Sequence, residues 1–88
     1  MIIRRHKQFL KNYKKRILPY HNLDTAFEER ITLFIQDSKN PILKDHKLIG
    51  SLKNLRAFSV TGDIRVVYRI VEGSIIELYN IGSHNQVY

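Results

Sequence analysis

LRAFSVTGDIRVVYRIVEGSIIELYNI, residues 55–81, decides the fold. The stretch is dense in β-branched and aromatic residues, and turn signals cut it into strand-length pieces. Leu55–Thr61 predicts one strand, Ile64–Val71 a second and Ile75–Ile81 a third, with Gly62-Asp63 and Glu72-Gly73-Ser74 as tight turns. Turns this short make consecutive strands antiparallel neighbours. In the middle piece Ile64, Val66, Tyr68 and Ile70 alternate onto one face, leaving Arg65 and Arg69 with Val67 and Val71 on the other.

Working back from this meander, the pattern switches to a helical period. Phe9, Leu10, Tyr13 and Ile17 form an apolar stripe over His6–Leu18, which Pro19 ends. Leu23, Phe27, Ile31, Phe34 and Ile35 form a second stripe over Leu23–Ser38, stopped by Asn40-Pro41. Asn22 or Asp24 is expected to cap that helix, and Asp24, Glu28 and Glu29 suit its positive end. Met1–Arg5 reads as a short strand, and Ile42–Asn54 as a polar connection. The expectation is an α+β chain of order βααβββ, one domain spanning residues 1–88. Two N-terminal helices pack on one face of a small, twisted, mainly antiparallel four-stranded sheet, leaving the other face open to carry a site.

Composition narrows the class. A 43% hydrophobic content excludes a disordered chain. No apolar run approaches the roughly 18 residues of a membrane span, and no apolar stretch follows the charges of Met1–His6 as in a signal peptide. With no cysteine there are no disulfides, thiolate metal sites or cysteine nucleophiles, which fits the cytoplasm. The net charge of +7 is sided. Up to Leu23 there are seven Lys or Arg and no acid; residues 24–40 hold four acids against Arg30 and Lys39; residues 41–69 hold six Lys or Arg against Asp45 and Asp63. A solvated surface alone needs no such asymmetry, whereas an anionic partner, nucleic acid or acidic protein, is drawn by it.

Few residues offer chemistry. His46 sits in the polar connection between Asp45 and Lys47, where a histidine is commonly just solvated. Asp63 lies in a turn, where aspartate often bonds its own backbone. His84 follows Gly82-Ser83 just past the last strand, where irregular chain presents a side chain from a rigid frame. His6 and His21, at element ends, are bystanders. His46, Asp63 and His84 come from separate elements without metal-ligand spacing, and no phosphate-loop or serine-elbow motif is present. Imidazoles among cations suit proton transfer on a polyanion, and RNA carries its own nucleophile in the 2′-hydroxyl.

Four motifs, taken in order, resemble a known family. They are Phe9-Leu10-Lys11-Asn12-Tyr13-Lys14-Lys15, then Asp45-His46-Lys47-Leu48-Ile49-Gly50, then Leu55–Val60 running into Asp63–Ile70, and last Ile81-Gly82-Ser83-His84-Asn85-Gln86-Val87-Tyr88. The second is similar to a His-x-Leu-x-Gly loop, and the last to a Gly-Ser/Thr-His ending with an aromatic four residues on. Together they resemble the RelE/ParE toxin superfamily, and within it the YafQ-like mRNA interferases, over essentially the whole chain.

The resemblance implies the toxin of a type II toxin–antitoxin pair, a ribosome-dependent endoribonuclease that needs no metal or other cofactor. His46, Asp63, His84 and Tyr88 match the catalytic positions, with His46 or Asp63 on the base side and His84 the acid. Lys44, Lys47, Lys53, Arg56, Arg65 and Asn80 are the expected RNA-binding set, and Lys7, Lys11, Lys14 and Lys15 the ribosome contacts. The implied partners are an acidic antitoxin, the ribosome and mRNA. Three positions depart from the family pattern: Ser59 replaces a third histidine, Ile64 a tryptophan, and Asn80 an arginine that steadies the phosphate. Two other readings share the fold: a ParE-like gyrase inhibitor, which lacks the histidine set, and a non-catalytic RNA-binding module, which needs no acid–base pair.

Overall fold

The computed structural model describes residues 1–52 and 54–88. Lys53, one of the expected RNA-binding residues, lies outside them. The chain runs β1 (Ile2–Arg5), α1 (Lys7–Arg16), α2 (His21–Gln36), β2 (His46–Lys47), β3 (Arg56–Ser59), β4 (Ile64–Glu72), β5 (Ile75–Ser83) and α3 (His84–Val87), with single 3₁₀ turns at Pro41–Leu43 and Gly50–Leu52.

The meander is present as expected. Phe58 pairs with Val66, Val66 with Ile81 and Tyr68 with Leu78, all antiparallel. The ladder between β4 and β5 shifts between Val67 and Tyr68, so Tyr79 is an extra residue opposite them.

Three features correct the expected architecture. The sheet has five strands in the order β1-β5-β4-β3-β2, because two residues of the polar connection pair with β3 at its edge. Leu48, beside them, is buried against Ala57 and Val67, and that contact draws the segment onto the sheet. The sheet is mixed, since β1 lies parallel to β5 after the two-helix crossover. A third helix, the single turn α3, closes the chain.

The core fills the side carrying α1 and α2. Phe9 from α1 and Ile17, just past its end, meet Phe27, Ile31 and Phe34 from α2 over Phe58, Val66, Tyr68, Leu78 and Ile81. Phe34 stacks on Phe58 at 4.7 Å between centroids and meets Tyr68 edge-on at 5.0 Å. Each such pair adds about 0.5–1.5 kcal/mol beyond area burial. The apolar stripes are narrower than the sequence implied: Leu10, Ile35 and Ile70 stand exposed, and Asn12 is buried instead. Helix α2 begins at His21 without a side-chain cap, so neither Asn22 nor Asp24 caps it; the Asp24 carboxylate instead accepts a hydrogen bond from the Tyr13 hydroxyl, tying α2 to α1.

The opposite face of the sheet is half covered rather than open. Helix α3 folds back so that Val87 packs with Ala57, Val67 and Leu48. Its first turn is closed by a reciprocal cap: the Ser83 side chain accepts from the Gln86 backbone, and Gln86 Oε1 accepts from Ser83 N at 2.7 Å. What remains uncovered on this face is the surface around α3.

Candidate functional site

Ladder registers fix which side chains share the α3 face. His46 pairs with Ala57, which belongs to the cluster under α3, so His46 points to that side. Arg65, paired with Ser59 and Gly82, points there as well. Ile64 pairs with Ser83, so Asp63 and His84 leave the same end of the β4–β5 ladder.

His84 is the first residue of α3 and is exposed. Four residues on, Tyr88 returns above it, and the rings meet edge to face at 4.6 Å and 89°. With Val87 buried beneath, both rings are held at the surface. Burial pushes the Tyr88 phenol above its ordinary value, while the nearby positive charge of Arg65 pulls the other way. The phenol therefore stays protonated at neutral pH, a hydrogen-bonding and packing group rather than a base. Arg65 is itself anchored, donating from Nη1 to the carbonyls of Thr61 (3.0 Å) and Ile64 (3.3 Å). Asp63 is exposed, and its backbone N–H is held by Thr61 Oγ1 at 3.3 Å.

His46 approaches from the other edge. Its rung lies about 10 Å along the strands from that of Ser83, and β2 lies about 14 Å across the sheet from β5. The imidazoles of His46 and His84 thus lie apart on this face rather than touch. His46 is exposed, with Nδ1 donating to the carbonyl of Lys44 at 2.9 Å. Among the described residues no group of three His, Asp or Glu side chains converges on a point that would hold a metal ion.

The expected RNA-binding set does not stay together. Arg65 belongs to the face just described. Arg56 does not: it pairs with Tyr68 on the helix side, where its Nε donates to the Tyr68 hydroxyl at 3.2 Å and to Asp45 at 3.4 Å. Lys44 and Arg56 line a cleft of about 550 Å³ floored by Phe34, Asp45 and Tyr68, away from His84. Lys47 pairs with Arg56 and is exposed on that side. Asn80 turns inward, 8% exposed, its Oδ1 accepting from Asn12 Nδ2 at 2.7 Å and from Ile81 N at 2.9 Å. It fills a core position that a charged guanidinium could occupy only at a large desolvation cost. The four lysines Lys7, Lys11, Lys14 and Lys15 are all exposed on α1.

Two features escaped the sequence. Asp45, next to His46, is tied to Tyr68, whose hydroxyl lies 2.8 Å from both carboxylate oxygens. Arg16, half-buried at the end of α1, donates to the Ile81 carbonyl at 3.0 Å beside the start of α3. Nothing in the local sequence pairs residues so far apart.

Against known proteins, residues 1–88 match the family model described as a bacterial toxin of type II toxin–antitoxin system, YafQ. No curated protein sequence matches the chain. Among solved structures, YafQ from E. coli is similar with a TM-score of 0.82 at 23% identity, over 98% of this chain and 96% of that one. The toxin in the E. coli DinJ–YafQ complex gives 0.79 at 24%, over 98% and 96%. A metal-bound toxin from Helicobacter pylori gives 0.72 at 27%, over 100% and 99%.

Proposed function

The chain belongs to the YafQ family of bacterial toxins of type II toxin–antitoxin systems, and from that premise we propose that it is an endoribonuclease cutting mRNA on the translating ribosome. The observation that carries this reading is the His84–Tyr88 pair, edge to face at 4.6 Å on the surface, with the charge of Arg65 at its side. An imidazole, an aromatic ring and a fixed guanidinium are what a nucleotide and its phosphate require: a proton donor, a surface for the base, and a countercharge.

In the proposed reaction the ribose 2′-oxygen bonds to the adjacent phosphorus and the bond from phosphorus to the 5′-oxygen breaks. The products are a 2′,3′-cyclic phosphate and a 5′-hydroxyl. The proton of the 2′-hydroxyl passes to His46 or Asp63, and His84, as imidazolium, gives one to the departing oxygen. Arg65 stands in for the arginine that Asn80 replaces. The exposed lysines of α1 draw the protein to ribosomal RNA.

His84→Ala tests the assignment. Its side chain is exposed, so the fold should persist while cleavage of a translated message, read by primer extension, falls about 10²–10⁴-fold. Cutting at the wild-type rate would remove His84 from the chemistry; an intact message with arrested replication would favour gyrase as the target. With a net charge of +7, the chain also suits an acidic antitoxin as partner, and the E. coli relative has been solved as a DinJ–YafQ toxin–antitoxin complex. Co-expression with an acidic neighbouring gene product should rescue growth and yield a complex that dissociates in high salt; a toxin that is harmless alone would contradict this.

A further inference from the structure

Strand β2 is only two residues long, too short for its ladder to hold His46 in place. Two other restraints surround it. The first is Tyr68, which is 2% exposed with its ring locked against Phe34, so its hydroxyl is fixed by the core. That hydroxyl lies 2.8 Å from both oxygens of Asp45 and accepts from Arg56 Nε at 3.2 Å, while Arg56 also reaches Asp45 Oδ1 at 3.4 Å. The residue preceding His46 is therefore tied to the most rigid part of the molecule. The second is Lys44, whose backbone is left-handed at φ 50°, a conformation that costs a side-chain-bearing residue energy. It closes the turn from Pro41, its N–H donating to the Pro41 carbonyl at 3.1 Å. The same turn aims the Lys44 carbonyl at His46 Nδ1, 2.9 Å away.

A carbonyl oxygen only accepts, so Nδ1 must carry the hydrogen, and the neutral ring keeps its lone pair on Nε2. We propose that Tyr68, Asp45, Arg56 and the left-handed turn at Lys44 form one positioning device that holds His46 as the Nδ1–H tautomer and presents Nε2 to the substrate. The purpose of the device, proton abstraction from a 2′-hydroxyl, rests on the nuclease reading above; its geometry does not. These four are positioning residues: Tyr68 and Arg56 face the helix side and act only through the loop. Burial and the Asp45 bond push the Tyr68 phenol upward, so it remains a donor throughout the neutral range.

The test uses Tyr68→Phe, which keeps the buried ring and removes the hydroxyl, and Asp45→Asn, which keeps the shape and removes the charge. Nitrogen-15 shifts of the imidazoles, read on the resting full-length protein, report the His46 tautomer. Wild type should show Nδ1–H, and both variants a mixture. Lys44→Gly, which accepts a positive φ without strain, should keep Nδ1–H. In cleavage assays Tyr68→Phe should lower kcat on the order of tenfold with KM little changed, a part of the ~10²–10⁴-fold that a positioned proton acceptor supplies. The acidic limb of its pH profile should move as well. A loop that is merely stabilised would alter melting but leave tautomer and pH profile alone. Nε2–H in wild type, or the wild-type tautomer in both variants, overturns the proposal. A wild type that locks Nδ1–H yet leaves message intact overturns the nuclease reading while supporting the device.

Discussion

Gly82→Ala should detach the surface that carries His84. Gly82 lies in β5 directly before the Ser83 cap, and an added Cβ would sit 2.6 Å from Gln86 Oε1, 2.9 Å from Arg16 Nη1 and 3.1 Å from Gln86 Cβ. Both side chains that crowd it are committed. Gln86 Oε1 accepts from Ser83 N at 2.7 Å, and Arg16 Nη1 donates to the Ile81 carbonyl at 3.0 Å. Losing the cap costs about 0.5–2 kcal/mol, and strain from a methyl forced into a packed site costs about 1–3 kcal/mol. A combined loss of about 2–3 kcal/mol lowers Tm by about 10–20 °C in a domain this small. The protein stays folded if its stability lies in the usual range of about 5–15 kcal/mol.

The loss should be local, because the contacts at stake hold α3 and the end of α1 against β5. Amide exchange should quicken at Tyr88, whose N–H donates to the His84 carbonyl at 3.1 Å, before it does in β4. Cleavage should fall with it. The sharper check is a double-mutant cycle. Gln86→Ala removes the oxygen that crowds the new methyl, so Gly82→Ala should cost less in that background, with a coupling of about 0.5–3 kcal/mol. Thermal melts of the four proteins measure it. Additive losses, or a Gly82→Ala protein that melts like wild type, would refute the reasoning.

Two further expectations follow from the same geometry. Tyr13 and Tyr68 both have phenols pushed above the ordinary 10.0, first by burial and then by hydrogen bonds to Asp24 and Asp45. Their contribution to stability is complete below pH 10.0 and is lost as pH rises toward the folded values, so this contribution should fade only in alkali, with these two phenolates appearing late and together with unfolding. Phenolate absorbance against pH measures this; Tyr68→Phe should delete one late step, and a uniform transition near pH 10.0 would contradict it. Lys14→Ala, on the exposed side of α1, should weaken ribosome binding by about one counterion in the salt slope and leave single-turnover cleavage unchanged; a lost chemical step would assign Lys14 to the site instead.

The meander and both long helices were legible because their signals are local: alternation over Ile64–Tyr68, helical spacing from Phe27 to Phe34, and turn residues between. The additions were not, for different reasons. The edge strand β2 comes from the polar segment Asp45-His46-Lys47 and exists because Leu48 packs on β3, a tertiary cause with no period of its own. The parallel pairing of β1 with β5 joins the two ends of the chain. Helix α3 did carry a signal, the Ser83–Gln86 spacing of a capping box, but four residues are too few to show a stripe. The stripes overreached at Leu10 and Ile35 because the sheet under each helix is narrow enough to cover only part of an apolar face.

The site divides along the same line. His84, Tyr88, Arg65 and His46 fall on one face because each occupies a definite rung or follows one directly, and alternation in β4 already separated Arg65 from Tyr68. Arg56 could not be sorted that way, since the parity of β3 depends on its register with β4, which no local pattern gives. Once Arg56 pairs with Tyr68 it must face the helices, where its Nε reaches Asp45 Oδ1 at 3.4 Å. Asn80 shows the same limit from inside the molecule. Its partner Asn12 is 68 residues away, and only their contact explains how two polar side chains fill a buried site without leaving an unmet hydrogen bond. With Asn80 inward and Arg56 engaged, Arg65 is the arginine whose charge reaches Tyr88. On the nuclease reading proposed above, a cation at position 80 would need the core under α1 to open, and Arg65 on β4 is the proposed substitute.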